Sequence, residues 1–82
     1  MQSKERQNEI AELMTHPLIT SMALALIEQG RDQKFIDSWE YRRCCNNWYT
    51  GVTGKQPLTI GSVATAVARR ANDLLGREVF TI

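Results

Sequence analysis

The side chains with intrinsic reactivity are few: two adjacent cysteines, Cys44 and Cys45, a single histidine, His16, and a glycine-lysine run, GVTGK, at residues 51–55. A thiol pair raises three chemistries: a metal centre, a redox couple or a nucleophile. Adjacent helical positions diverge by about 100°, so Cys44 and Cys45 cannot grip one ion together, and His16 is the only other soft ligand. Arg42 and Arg43 would lower a thiol pKa, but a catalytic cysteine also needs a proton acceptor, and the lone histidine is far along the chain. GVTGK departs from a phosphate-binding loop. Gly51 and Gly54 are too closely spaced, and Gln56 follows Lys55 where a metal-binding hydroxyl should stand. No Ser-His-Asp set and no carboxylate pair in matched environments can be assembled. The expectation is therefore a protein that is not an enzyme, with no catalytic residue, cofactor or metal site.

What remains is recognition, and two stretches carry it. The first is WEYRRCCNNWY, residues 39–49, which holds both tryptophans, both tyrosines and both cysteines. On a helix Tyr41, Cys45 and Trp48 share one side, whereas Trp39, Arg43, Asn46 and Asn47 project on the opposite one. Tryptophan, tyrosine and arginine dominate the energetic centres of protein interfaces, so Trp39, Arg43, Asn46 and Asn47 form the candidate partner surface. The competing reading has both tryptophans filling core, with the arginine stems passing over them. The second stretch is the outer side of a helix at 59–75. There Ser62, Thr65, Arg69 and Asn72 lie opposite the apolar stripe and Arg70 flanks them, a set able to donate to phosphates and base edges. A Gly/Pro loop precedes that helix where a helix-turn-helix would place a short helix, so the match is partial.

These positions need elements to hold them. Ser3 suits the cap of a first helix over 4–15, with Ile10, Leu13 and Met14 as its stripe. Pro17 opens a second helix that stops at Gly30; only a narrow strip of Thr20, Ser21 and Glu28 is polar, so it reads as the buried central helix. Asp32 caps a third, from Gln33 to about Tyr49 and ended by Gly51. Its apolar side switches near Arg42, so the helix either breaks there or is sandwiched. After the loop at 51–57 a fourth helix runs from about Thr59 to Leu75, closed by Gly76, on a stripe of Ile60, Val63, Ala64, Val67, Ala71, Leu74 and Leu75. REVFTI ends in alternating β-formers, a short strand or extended tail. The expected fold is all-α: one small four-helix domain over 1–82 with a buried central helix and a short C-terminal extended segment.

Composition sets the remaining bounds. With 82 residues, 43% hydrophobic and 23% charged, the chain has the make-up of a globular domain whose core alone supplies roughly 3–5 kcal/mol. Residues 1–40 hold four basic against seven acidic side chains, and residues 41–82 hold six against two, so the halves are oppositely charged. That polarity, the small core and the apolar VFTI terminus favour a homodimer, the terminus either pairing with its symmetry mate or covering its own core. The longest apolar run, PLITSMALALI, falls short of the ~20 residues of a membrane span, and MQSKERQNE lacks the apolar stretch of a signal peptide. A cytoplasmic setting with reduced cysteines is expected. The function these features imply is a small non-enzymatic interaction module, such as a bacterial or phage-type regulator or inhibitor that occludes a macromolecular partner. The alternative is a DNA-binding regulator using helix 59–75.

Overall fold

The computed structural model describes residues 3–82, which form five helices: α1 (Lys4–Leu13), α2 (Pro17–Gln29), α3 (Gln33–Ile36), α4 (Trp39–Thr53) and α5 (Ser62–Leu75). The fold is all-helical. Its helix starts follow local chemistry, with the Ser3, Asp32 and Ser38 side chains accepting from the amides of Arg6, Phe35 and Tyr41. His16 does the same at α2: its Nδ1 accepts from the Leu18 amide at 3.0 Å, and Pro17 supplies the first turn. The chain bends by 79° between α1 and α2, and no single helix is long and apolar enough to cross a membrane.

The anticipated helix over 33–49 is two helices. Its break lies at Asp37–Ser38, ahead of Arg42, where Ser38 adopts an extended backbone. The Ser38 hydroxyl donates to the Phe35 carbonyl at 2.7 Å and accepts from the Tyr41 amide at 3.2 Å, closing one helix and opening the next. The hinge folds Phe35 back onto Tyr41, ring centroids 4.6 Å apart, with the Arg31 guanidinium 3.7 Å from the Phe35 ring centroid. This accounts for the switch of apolar side. At its other end α4 continues through Gly51 to Thr53 and stops at Gly54, whose φ of 71° lies in the left-handed region that glycine enters without strain. Gly51 is an ordinary helical residue.

The buried central helix is α5, not α2. Helices α1, α2 and α4 all pack against it. Ala64, Ala66, Ala68 and Ala71, with Val63 and Val67, are buried on several sides of α5, and side chains this small let three helices approach one axis. By contrast α2 is fully buried only at Ile19, Met22, Ala23 and Leu26, with Leu18 and Ile27 packed partly buried beside them, and leaves Leu24 52% exposed. Hydrophobicity misled here because centrality depends on how closely neighbours can approach. The helix begins at Ser62, three residues later than its pattern suggested, and leaves Ile60, Leu74 and Leu75 more than a third exposed. Arg6 ties α1 to its start, donating to the hydroxyls of Thr59 at 3.2 Å and Thr65 at 3.4 Å.

No strand forms among the described residues, so the C-terminal segment is not a β-element. A Schellman turn at Gly76, with the amides of Arg77 and Gly76 reaching the carbonyls of Asn72 and Asp73, reverses the chain. Two side-chain amides then hold the tail. Asn72 Oδ1 accepts from the Val79 and Phe80 amides and Asn72 Nδ2 donates to the Phe80 carbonyl, all at 2.9 Å. Gln33 pairs with Thr81 in the same way, accepting its amide at 2.9 Å and donating to its carbonyl at 2.8 Å. Between these clamps Phe80 enters the core with 4% of its surface exposed. The tail covers its own domain.

Asn72→Ala removes three hydrogen bonds and should cost about 2–3 kcal/mol, and Phe80→Ala about 3 kcal/mol. For a domain of this size the first change alone should lower Tm by roughly 10–15 °C. Because both act by freeing one tail, the double variant should lose clearly less than the two single losses together in denaturant titrations; strict additivity would contradict the clamp.

Candidate functional site

Helix α4 meets the core along a single meridian. Cys45 and Tyr49, one helical turn apart, are buried, and Tyr41, one turn earlier, is half-buried against them. Tyr49 also meets the edge of His16, ring centroids 5.7 Å apart. Trp39 and Trp48 are about 180° apart at roughly 100° per residue, so they fall on opposite flanks of that meridian. Trp39 is 53% exposed and Trp48 is 49% exposed. Neither tryptophan is core.

The Trp39 flank contains the residues chosen from sequence. Arg43 and Asn47 are exposed beside Trp39, whereas Asn46 is half-buried. The Trp48 flank is hidden in the sequence because helical spacing sets Trp48 on the side of Tyr41 and Cys45. With α4 running to Thr53, Tyr49 takes the third inward position and turns Trp48 outward. Glu40, Cys44, Trp48 and Val52 then form an exposed ridge spaced four residues apart. That spacing is present in the sequence, but Gly51 resembles a helix stop and leaves Val52 outside the expected helix over 33–49.

The α5 residues considered for nucleic acid are largely engaged within the chain. Ser62 is fully buried, its hydroxyl 2.8 Å from that of Thr59. Thr65 accepts from Arg6, Asn72 holds the tail, and Arg70 Nε donates to the Thr20 hydroxyl at 3.3 Å. Arg69, half-buried, borders a broad open depression of about 740 Å³ with Met14, Asp73, Arg77 and Glu78. A recognition helix must present such side chains to a groove, and here α1, α2 and α4 surround the helix that carries them.

The thiols differ sharply. Cys44 is exposed and Cys45 buried, and neither is in a disulfide. Burial pushes the Cys45 thiol up to about 11; the hydrogen bond from Tyr41 draws it part of the way back and charge on Cys44 adds to the rise. Burial, and then the neighbouring Cys45, holds the Tyr41 phenol well above its ordinary 10.0. Cys45 is 3% exposed and packs in the core. Among the described residues no cluster of three or more His, Cys, Asp or Glu side chains is placed to hold a metal.

A cleft of about 230 Å³ that sequence reasoning did not find lies between α1, α4 and the loop after α4, lined by Glu9, Glu12, His16, Tyr49, Lys55 and Pro57 among others. Both oxygens of Glu9 lie within 3.0 Å of the Leu58 amide, so this carboxylate orders the loop. His16 is committed to its cap, and no hydroxyl or thiol nucleophile other than the Tyr49 phenol lines the space. The cleft is smaller than the ~300–1,000 Å³ of ordinary small-molecule pockets. No protein-family model, curated protein or solved structure matches the chain.

The buried pair sets an alkaline limit on stability. The folded chain keeps protons on Cys45 and Tyr41 that the unfolded chain releases, so stability is intact below the unfolded thiol value of 9.0 and falls as pH rises toward about 11. Urea midpoints should therefore drop from about pH 9 to about pH 11, and Cys45→Ala should reduce the drop. In the folded protein a disulfide reagent should modify Cys44 readily and Cys45 only on unfolding. Equal rates at the two thiols would contradict this packing.

Proposed function

We propose that this chain is a small non-enzymatic interaction module, a regulator or inhibitor that binds a protein partner through the Trp39 flank of α4 and occludes it. The observation that carries this reading is the 53% exposed indole of Trp39 in the first turn of a helix held by the Ser38 cap, with exposed Arg43 one turn on and Asn47 beyond it. A large aromatic and a guanidinium on a rigid element bury much area at low entropic cost, the make-up of an interface hot spot. Asn46, half-buried, belongs to the edge of that surface. Two free cysteines suit a reducing, cytoplasmic setting. The hydrogen bonds that engage Ser62, Thr65, Arg70 and Asn72 count against duplex DNA as the partner.

The test compares two surfaces. Trp39→Ala and Arg43→Ala should each weaken capture of the native partner by about 30-fold or more, and the pair by more than either, since hot-spot truncations cost roughly 2 kcal/mol or more each. Arg69→Ala with Arg70→Ala should leave that capture unchanged, and circular dichroism should be unaltered in the first pair. The proposal fails if both pairs bind equally well. It also fails if the protein shifts duplex DNA in a salt-dependent manner that Arg69→Ala with Arg70→Ala abolishes.

A further inference from the structure

We propose that the cleft between α1, α4 and the loop after α4 binds a small zwitterion, a free α-amino acid with a short side chain. This goes beyond the partner-binding reading and does not depend on it, because neither Trp39 nor Arg43 lines the cleft.

Tyr49 brings to the cleft a hydroxyl that the chain leaves unengaged. The residue is 6% exposed; its backbone carbonyl accepts from the Thr53 hydroxyl, but among the described residues no hydrogen bond reaches its phenol oxygen. No buried side-chain polar atom lacks a partner among the described residues, so this oxygen is not sealed in and opens to the space that Tyr49 lines. A second donor stands beside it. His16 Nδ1 accepts from the Leu18 amide, which leaves the proton of the neutral imidazole on Nε2, and this ring meets the edge of Tyr49 with centroids 5.7 Å apart. Glu9 pins the loop wall by accepting from the Leu58 amide, so the cleft is formed before a ligand arrives.

The lining charges name the class of ligand. Glu12 comes from α1 and Lys55 from the loop, both exposed, while Glu9 is occupied with Leu58. A simple anion is repelled by the carboxylates and a simple cation by Lys55, whereas a molecule with both charges a few bonds apart meets its complement on each wall. The ligand carboxylate then takes Lys55 and the Tyr49 and His16 donors, and its ammonium takes Glu12. A free amino acid carries both charges on one carbon; each end of a peptide carries one. Leu13 and Pro57 offer apolar lining to the side chain, and a volume of about 230 Å³ keeps that side chain short.

Titration of the ¹⁵N-labelled chain with L-alanine, followed by amide chemical shifts, tests this. The Leu18, Lys55, Gln56 and Leu58 amides should shift together and saturate with a Kd on the order of 1 mM. N-acetyl-L-alanine, which lacks the ammonium, and L-alaninamide, which lacks the carboxylate, should each bind at least about tenfold more weakly. Tyr49→Phe removes one oxygen that holds nothing in the chain, so it should weaken L-alanine by about fivefold or more and leave Tm unchanged. Glu12→Gln and Lys55→Gln should each weaken it to a similar degree, and Trp39→Ala should not. The proposal is overturned if no saturable shift occurs by about 50 mM L-alanine. It is equally overturned if either blocked amino acid binds as tightly as L-alanine, or if Tyr49→Phe binds like the parent or melts several degrees lower.

Discussion

The structure depends on how closely other helices can approach α5. Its buried positions are filled by alanine and valine, so α1, α2 and α4 reach a common axis from different sides. Side chains this small fill little volume themselves, and the bulk of the core comes from the neighbours: Ile10 and Leu13, Ile19, Met22 and Leu26, Cys45 and Tyr49. Each surrounding helix therefore satisfies its packing with one narrow inward line. For α4 that line is Tyr41, Cys45 and Tyr49, and once it is seated no further aromatic on the helix has a place inside. The outward position of both tryptophans follows from that constraint.

The same economy governs the connections. A chain of 82 residues has little apolar surface to set against the entropy of ordering its ends, so short polar side chains act as fasteners. Ser38 closes α3 and opens α4 with one hydroxyl, Glu9 pins the loop before α5, and Asn72 and Gln33 bracket the tail as a neighbouring strand would. Phe80 is delivered to the core only because those amides hold the backbone on either side of it. No buried side-chain polar atom lacks a partner among the described residues, which is what such a small core requires.

Much of this architecture was legible because it is local. The Ser3 and Asp32 caps, proline at the start of α2, and glycine after α2 and α5 act within one turn of where they stand. What the sequence concealed was tertiary. Gly51 and Gly54 look alike, and only the course of α4 over α5 decides which leaves the helix. The hydrophobic character of α2 exceeds that of α5, yet burial at the centre favours the smaller side chains. Asn72 resembles a free surface amide until the tail that it holds is in place, and Ser62 is masked for the same reason by Thr59. The exposure of Trp39, Arg43 and Asn47 was legible from helical spacing alone; that of Trp48 was not, because it emerges only once Tyr49 turns inward.

The account turns on α4 docking through Tyr41, Cys45 and Tyr49 with an indole free on each flank. Acrylamide quenching of the two single-tryptophan variants, Trp39→Phe and Trp48→Phe, tests this most directly. In both variants the remaining indole should emit at long wavelength and be quenched at roughly half the rate of free tryptophan, as its near-half exposure requires. A blue-shifted, quencher-resistant indole in either variant would place that tryptophan in the core and contradict the account.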